Sequence, residues 1–481
     1  MGISKTALVL GGGFAGLSAA VHLACHDYEV TLLEQAQTLG GKAAEFRRDG
    51  FRFDTGPSVF TLQGVIKDIF DLAGRDLPFE LEPLDLLCRY LFPSGRVWDV
   101  FQDRRKTMAQ LMANEVKVYR KALLEAKKLY ESSASTFIFG KPPSLADLAT
   151  YGLRSGLQAH PLKTLPQLLE GLGADGELKQ FFLRFATYFG ADPYQAPAIL
   201  HNICWVELGL GLAYPKGGIY RLVTELERLA RDLGVQIQTG VTVKALELEG
   251  DTVKQVKTTS GDVAADNIIS SLDIIRTHKL LGLKTDLQKQ EPSLSGFVGL
   301  FGYKGESELK HHNISFSSDY EAEFAAIKRG EVATDPTLYI NISSKTDASD
   351  APPGYENWFV MANAPALDST ENQWSLEDED RYAEQLMVTL EKRGLAQKHE
   401  LELKQIIGPN KLARFAHRGS IYGTASHSLL KTLRPPQQIK GVSNLTLAGG
   451  TVFPGGGIPL ALLSGKSAAE LIIEHAKQVL K

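Results

Sequence analysis

The chain has 481 residues, enough for roughly two to four structural units, and this length excludes a disulfide-stapled mini-protein. Apolar residues make up 43% and charged residues 22%, which argues against disorder, and the net charge of −4 provides no basic field for nucleic acid. Glycine is the outlier, because 45 are present where average usage of about 7% gives roughly 34. The sequence contains no collagen-like repeat that would account for the additional glycines. We therefore expect glycine to be concentrated at particular turns.

The cysteine pattern and the apolar stretches indicate the cellular setting. Cys25, Cys88 and Cys204 are far apart and form no Cys-x-x-Cys pair, which argues against a disulfide framework, a thiolate zinc site or a redox dithiol. A reducing, cytoplasmic setting is the expectation. No stretch reaches the 18 or so apolar residues of a membrane span, so we expect any contact with a membrane to be peripheral.

A glycine-rich turn follows the first predicted strand. Thr6 to Leu10 (TALVL) is short and continuously apolar, as expected of a buried parallel strand. Gly11, Gly13 and Gly16 then form G-x-G-x-x-G at the start of a predicted helix. In this motif the glycines permit the turn, the approach of a pyrophosphate and close helix packing, while the helix N-terminus attracts the anion.

An acidic residue follows at the expected distance. Glu29 to Leu33 predicts a second strand that ends at Glu34, about 20 positions after the glycines, where a carboxylate that binds a ribose diol is expected. The glycine motif alone is a weak signal. Because strand, helix, strand and acid all fall in register, the sequence predicts a dinucleotide-binding site.

A second glycine pair indicates which dinucleotide binds. Gly40 and Gly41 precede Lys42, and Phe51 to Ser58 (FRFDTGPS) follows. Another close approach of the backbone suits a longer ligand, with Lys42 as a point charge for a phosphate or a nearby carboxylate. This pattern favours FAD over a nicotinamide cofactor.

The middle of the chain predicts helices first and then strands. Helices are expected over 106–131, 177–190 and 221–234, and strands over 235–239, 241–248, 252–259, 267–270, 296–303, 337–342 and 358–363. A further helix is predicted from Ser375, with a capping-box variant through Asp378. The acidic run 377–380 is therefore interpreted as a solvated first helical turn and not as a metal site. Residues 347–354 are expected to form a loop.

The C-terminal end carries another glycine-rich motif. Leu445 to Ala448 predicts a buried strand, Gly449 and Gly450 end it, and Pro459 is suited to the first turn of a helix that runs to about Val479. The positive end of that helix would stabilise negative charge that develops on a flavin.

These segments together resemble a known family. Gly11 to Ser58 is similar to the amine-oxidase-type flavoproteins, and within them to the phytoene desaturase family of carotenoid-modifying enzymes. The resemblance extends to 214–218 (YPKGG), 265–271 (ADNIISS) and 444–460 (NLTLAGGTVFPGGGIPL). Segments 419–424, 449–451 and 454–463 look closest to the carotenoid 3,4-desaturases.

The resemblance implies an α/β fold with a Rossmann-type FAD-binding domain and an inserted α+β substrate or lid domain. The FAD-binding domain is expected to be discontinuous, over 1–75, 214–275 and 441–481, and the substrate domain to cover 76–213 and 276–440. Val243 as an adenine contact and Ser271 near the cofactor are implied by position in the family. The predicted cofactor-binding residues are Gly11, Gly13, Phe14, Ala15, Gly16, Glu34, Gln35, Gly41, Lys42, Gly56, Pro57, Ser58, Val243, Ser271, Gly450, Thr451, Gly457 and Ile458.

Several other polar or aromatic residues are candidates for a substrate channel or a metal site. The resemblance implies a substrate channel near His417 and Tyr422, for which a strand edge is an equal alternative, and Phe453 stands where several relatives carry His. His22 and His26 have metal-compatible spacing but no third ligand, and the pair 311–312 (HH) is expected to be exposed. No catalytic residue and no metal ligand is assigned.

The resemblance implies an FAD-dependent carotenoid desaturase, of the 3,4-desaturase or phytoene desaturase type. It would transfer a hydride from an allylic carbon of an apolar polyene to flavin N5, with oxygen or a membrane quinone as the final acceptor. The alternatives are a redox-neutral carotenoid isomerase, an amine oxidase and a non-catalytic lipid carrier.

The sequence also contains a candidate surface for membrane contact. Residues 135–143 (STFIFGKPP) and 145–169 combine aromatic, aliphatic and basic residues, which suits an interfacial element, although ordinary core helices would look similar. We expect the protein to lie at the inner face of the cell membrane.

Overall fold

The structure is a computed structural model that describes residues 5–156, 158–368 and 374–479. The strands are β1 (Thr6–Leu10), β2 (Glu29–Leu33), β3 (Glu45–Arg48), β4 (Phe51–Asp54), β5 (Leu81–Pro83), β6 (Leu86–Leu91), β7 (Val97–Phe101), β8 (Ala213–Pro215), β9 (Gln236–Gln238), β10 (Val243–Glu249), β11 (Thr252–Thr258), β12 (Gly261–Val263), β13 (Asn267–Ser270), β14 (Ser295–Lys304), β15 (His312–Ser315), β16 (Leu338–Ile342), β17 (Tyr355–Ala364), β18 (Leu401–Ile407) and β19 (Leu445–Leu447).

The helices are α1 (Phe14–Ala24), α2 (Gly64–Leu72), α3 (Arg104–Met108), α4 (Ala113–Phe137), α5 (Leu145–Ser155), α6 (Leu165–Leu172), α7 (Gly176–Leu183), α8 (Asn202–Leu208), α9 (Tyr220–Asp232), α10 (Ile274–Leu280), α11 (Tyr320–Lys328), α12 (Leu376–Lys392), α13 (Pro409–Leu412), α14 (Leu429–Thr432) and α15 (Ile458–Val479).

A five-stranded parallel sheet organises the first unit. Its order is β19-β13-β1-β2-β9, so the strand next to the glycine-rich turn is central, with Leu8 opposite both Thr31 and Ile268. Helices α1, α9 and α15 pack on one face, and α10 and the antiparallel sheet β10-β11-β12 cover the other. Because both faces are covered, the central strand β1 is buried and apolar from Ala7 to Leu10 without alternation.

A seven-stranded mixed sheet organises the second unit. Its order is β18-β14-β17-β16-β15-β6-β7, and only β15 and β6 pair in parallel. Helix α12 packs against β14 and β17 through Tyr382 and Leu386, while α4, α6, α7 and α8 form a helical layer beside β6 and β7. The nucleotide-binding sheet and this α+β unit confirm the predicted α/β class.

The hairpin β3-β4 connects the two units. Phe51 and Phe53 on β4 pack against Val298 on β14 and Phe359 on β17. The N-terminal segment therefore contributes both to the nucleotide-binding sheet and to the wall of the second unit.

Three local expectations were wrong. The helix predicted over 106–131 is divided into α3 and α4, because the Gln110 amide is held by the backbone of Asp99 and the Glu115 carboxylate accepts the Met112 N–H at the start of α4. The helix predicted over 177–190 ends at Leu183 and continues as 3-10 turns. His311 and His312 are buried and not exposed, because β15 lies inside the seven-stranded sheet.

Candidate functional site

A large cavity of about 1380 Å³ is lined by residues of both units. Its walls include the N-terminal glycine loop, the second glycine pair and the C-terminal loop before α15. Segments that are more than 400 positions apart in the sequence therefore meet around one space.

The N-terminal glycine loop is closed on the protein side and open on the cavity side. A Cβ at Gly16 would lie 1.9 Å from the Gly11 carbonyl oxygen, so only glycine permits this packing of α1 on the sheet. At Gly13 the nearest atom to an added Cβ is the Gly40 oxygen at 3.9 Å. No side chain caps α1 at its N-terminus, so its first N–H groups are available to an anion such as a pyrophosphate.

Glu34 is held rigidly at the end of β2. Its carboxylate oxygens accept hydrogen bonds from the N–H groups of Gly12 and Ala36, both at 2.8 Å. The side chain is buried and lines the cavity. This position lies next to the glycine loop and suits a ribose diol, as the spacing predicted.

Lys42 places a cation in the cavity wall. Its ammonium donates to the Ile421 carbonyl at 2.6 Å, which joins the second glycine pair to the segment 419–424. Desolvation lowers the pKa of Lys42 to about 8, and the nearby carboxylate of Asp273 opposes that decrease. The structure therefore places Lys42 in the cavity wall, and its role as a point charge for a ligand stays a prediction.

The C-terminal loop closes the cavity from the opposite side. Gly450, Thr451, Gly457 and Ile458 line it, and Thr451 Oγ1 accepts a hydrogen bond from the Ile274 N–H at 3.1 Å. Helix α15 therefore begins at the cavity, which is the arrangement predicted for stabilising charge on a flavin.

The structure brings most of the predicted cofactor-binding residues together. Gly16 supports the loop from behind, and Ser271 Oγ donates to the Gly11 carbonyl at 2.8 Å. The predicted residues that line the cavity are Gly11, Gly13, Phe14, Ala15, Glu34, Gln35, Gly41, Lys42, Gly56, Pro57, Ser58, Val243, Ser271, Gly450, Thr451, Gly457 and Ile458.

Of the three residues predicted for the substrate channel, only Tyr422 lines the cavity. Phe453 lies in the core behind the loop, where its N–H donates to the Pro435 carbonyl and its own carbonyl accepts from Ser464. His417 starts a turn whose backbone is held by Asp273. The structure thus gives neither Phe453 nor His417 a place in the channel wall.

The cavity continues beyond the glycine loops as an apolar branch. Ile203 and Val206 on α8 line it, as do Leu148 and Tyr151 on α5. Leu430 on α14 also lines the cavity and is 78% exposed, so the branch reaches the surface at Leu430. The branch suits a long apolar molecule.

Sequence reasoning missed the polar residues of this branch. Arg184, Tyr188 and Glu207 line it, and Tyr339 hydrogen-bonds Ser58 at 2.8 Å. Their spacing carries no motif, because they lie on α8, on β16 and in the turns after α7, which only the fold brings together.

The described part of the chain has neither a metal-binding cluster nor a membrane-spanning helix. Across residues 5–156, 158–368 and 374–479, no group of three or more His, Cys, Asp or Glu side chains could hold a metal ion. Within the same ranges, no helix has the length and apolarity needed to cross a membrane.

The residues present fit FAD. The open turn at Gly13, the uncapped start of α1 and the fixed carboxylate of Glu34 match the pyrophosphate and ribose of a dinucleotide. The cavity has room for a longer cofactor together with an apolar substrate. This fold and site define the class of FAD-dependent oxidoreductases.

Comparison with known proteins gives the family. Residues 14–473 match the flavin containing amine oxidoreductases. A 1-hydroxycarotenoid 3,4-desaturase of Flavobacterium is 35% identical, over 97% of this chain and 99% of that protein. A 4,4'-diapolycopene oxygenase of Methylomonas is 30% identical, over 98% of both chains. The chain belongs to the flavin containing amine oxidoreductase family and, within it, to the carotenoid desaturase family.

A solved structure supports the fold. Cyclohexylamine oxidase of Brevibacterium oxydans superposes with a TM-score of 0.62 at 15% identity, covering 99% of this chain and all of that one. This likeness concerns the architecture alone, because the sequence identity is low.

Proposed function

We propose that the protein is a carotenoid desaturase that removes two hydrogens from adjacent carbons of an acyclic polyene. The observation that carries this proposal is the apolar branch, which leads from the surface to the predicted flavin site. The relative named 1-hydroxycarotenoid 3,4-desaturase supports the same substrate class.

The bound FAD supplies a two-electron acceptor for this reaction. The protein itself orients the polyene, because the apolar walls of the branch are complementary in shape to a rigid conjugated molecule. The same walls exclude water. A positive charge that develops beside conjugated double bonds is delocalised, so proton loss needs no strong base.

The experiment that tests this function is an anaerobic titration of the holoenzyme with acyclic polyenes. Desaturation predicts loss of the oxidised flavin absorbance and a product lighter by two hydrogens. Isomerisation leaves the mass unchanged, and oxygenation, the activity named for the Methylomonas relative, adds oxygen. Hydrogen peroxide production with amines would instead identify an amine oxidase. Bound polyene with a flavin that no candidate reduces would contradict catalysis.

We also propose that the opening of the apolar branch docks on a membrane. Leu145, Leu153 and Leu162, near that opening, have exposed fractions of 86%, 90% and 96%, and Arg154 and Lys163 lie among them. Exposed leucines beside cations suit an anionic lipid surface, from which an apolar polyene could enter directly. We call the segment 145–163 together with α14 the docking face.

The proposed cellular position is the inner face of the cell membrane. All three cysteines are free, and Cys88 and Cys204 are buried, which is compatible with a reducing compartment. In this position the reduced enzyme would be reoxidised by a membrane quinone or by oxygen. Turnover in quinone-containing vesicles without oxygen distinguishes the two acceptors.

A further inference from the structure

An ion pair is buried in the wall of the otherwise apolar branch. Arg184 Nη2 donates to Glu207 Oε1 at 2.6 Å, and both side chains are almost fully buried. Arg184 Nη1 donates to the Tyr188 hydroxyl at 2.9 Å, and that hydroxyl donates to Glu207 Oε2 at 2.8 Å. Arg184 also donates to the Tyr90 hydroxyl. We call these four residues the Arg184 cluster.

Stability alone does not account for the Arg184 cluster. Removing two charges from water is costly, and apolar residues of similar volume often replace a buried ion pair without loss of stability. Although Arg184 and Glu207 are almost fully buried, both of them line the cavity, as does Tyr188. The charges therefore face the space that the substrate would occupy.

The cluster retains hydrogen-bonding capacity on both sides of the ion pair. A guanidinium has five N–H donors. Three of them contact Tyr90, Tyr188 and Glu207, while Nε has no partner within the described residues. Each carboxylate oxygen of Glu207 accepts one bond and can accept another. A donor and an acceptor next to each other match a hydroxyl group, which both accepts and donates.

The cluster lies towards the cofactor end of the branch. Tyr339 hydrogen-bonds Ser58, which belongs to the predicted cofactor-binding residues. Burial raises the pKa of Tyr339 above its ordinary value, and the charge of Glu207 adds to this increase while Arg184 opposes it. The strand register also places the cluster near Tyr339, because Tyr90 lies opposite Ile314 on β15 and Ile314 lies opposite Tyr339 on β16.

We propose that the Arg184 cluster binds a hydroxyl group that the polyene carries close to its reacting carbons. This inference rests on the proposed function and narrows its substrate class to polyenes with an alcohol at one end. The cluster would act as a specificity site, because it anchors the end of the chain and so selects which bond reaches the flavin.

The test compares two ligands in the reduced holoenzyme, which cannot accept electrons, under anaerobic conditions in detergent micelles. The ligands are an acyclic polyene with a terminal tertiary hydroxyl and the same polyene without it. Quenching of tryptophan fluorescence gives a Kd for each. We expect the hydroxylated ligand to bind about tenfold more tightly to the unchanged protein, as charged hydrogen bonds allow.

Three variants test whether Arg184 and Glu207 cause the difference in Kd between the two ligands. The double change Arg184→Met and Glu207→Leu should reduce the Kd ratio to about one, and Glu207→Gln should reduce it severalfold even where the double variant fails to fold. The matched control is Arg96→Met with Glu115→Leu, which removes another Arg–Glu pair, one that does not line the cavity, and should keep the tenfold ratio.

Equal affinities in the unchanged protein, or a ratio that survives in the double variant, would show that the cluster holds only water and would overturn the inference. Because the ratio is measured without turnover, it is independent of the desaturation assay. A protein that shows the ratio but never desaturates contradicts the proposed function alone.

Discussion

Arg52 Nη1 lies 3.2 Å from both carboxylate oxygens of Asp350, a residue 298 positions further along the chain. Arg52 is on β4, beside the cofactor loops, and Asp350 is in the connection between β16 and β17. Tyr214 and Ser343 also donate to Asp350, which is completely buried. These contacts fasten the nucleotide-binding part of the chain to the seven-stranded sheet.

Asp350→Ala should therefore destabilise the whole protein. The change leaves Arg52 with a weaker set of carboxylates and leaves two buried hydroxyl groups without their acceptor, which we expect to cost about 3 kcal/mol. Denaturant unfolding of the holoenzyme measures this loss. Asp286→Ala is the control, because its ion pair with Lys289 is exposed and should contribute little to stability. Equal effects of the two changes would contradict the role of Asp350.

Gly16→Ala should disrupt the cofactor loop. The added methyl group would lie 1.9 Å from the Gly11 carbonyl oxygen, so α1 must move away from the sheet, at a cost of roughly 2–3 kcal/mol. FAD retention after gel filtration and the unfolding midpoint should both decrease. Gly64→Ala, at a position with open space around it, should leave both unchanged. A Gly16→Ala protein with normal flavin content would refute this packing argument.

Glu34→Gln should weaken FAD binding without unfolding the protein. The amide keeps the shape but loses the charge and one of the two acceptors that bind the N–H groups of Gly12 and Ala36. We expect the Kd of FAD, measured by flavin fluorescence on the apoprotein, to rise about tenfold or more. Glu29→Gln, at the exposed start of β2, is the control. Unchanged affinity in Glu34→Gln would exclude Glu34 from the cofactor site.

Glu323 should make stability depend on pH. Burial raises its pKa to about 7, although hydrogen bonds from Asn363 and Thr337 oppose the shift. The folded protein binds a proton at Glu323 more tightly than the unfolded chain does. The contribution of Glu323 to the stability of the protein is therefore greatest below pH 4.5. It decreases as the pH rises towards 7.

Glu323→Gln should remove this dependence and stabilise the protein at pH 8 by roughly 3 kcal/mol relative to the unchanged chain. Near pH 4.5 the difference should be small. Unfolding curves at several pH values measure it, and Glu321→Gln, on the exposed side of α11, should follow the unchanged protein. Parallel curves for the unchanged protein and Glu323→Gln would mean that Glu323 does not titrate in this range.

Replacing Leu145, Leu153 and Leu162 together by Gln should abolish most binding to anionic vesicles. These side chains are largely exposed, so the unfolding midpoint should not change. Vesicle sedimentation at low and high salt measures the binding, which salt should weaken because Arg154 and Lys163 contribute. Leu124→Gln, another exposed leucine outside the docking face, should bind normally. Full binding by the triple variant would rule out the docking face.

The glycine motifs made the nucleotide-binding unit predictable. Tight turns and close approaches restrict the residue type, so Gly11, Gly16 and Gly41 were visible in the sequence together with the strands beside them. The acid at Glu34 was found by its distance from these glycines. Strands β1, β2 and β13 have the bounds that the apolar runs indicated.

The channel and the buried polar contacts were not predictable. His311 and His312 look like surface residues, and only the pairing of β15 with β6 and β16 shows that they are buried. The loop predicted over 347–354 is a connection, yet it supplies Asp350 to the core. Arg184 and Glu207 meet across separate elements. Such pairs depend on tertiary packing, and tertiary packing leaves no periodic pattern in the local sequence from which the pair could be predicted.

The position of β19 at the edge of the nucleotide-binding sheet has a consequence for biosynthesis. Its residues are synthesised long after those of β1, and at about 5–20 residues per second they follow β1 by roughly 20 to 90 s. During that interval the edge of β13 has no strand beside it, and the loop that begins α15 does not yet exist. The nascent chain therefore cannot complete its flavin site before β19 and the start of α15 have been synthesised.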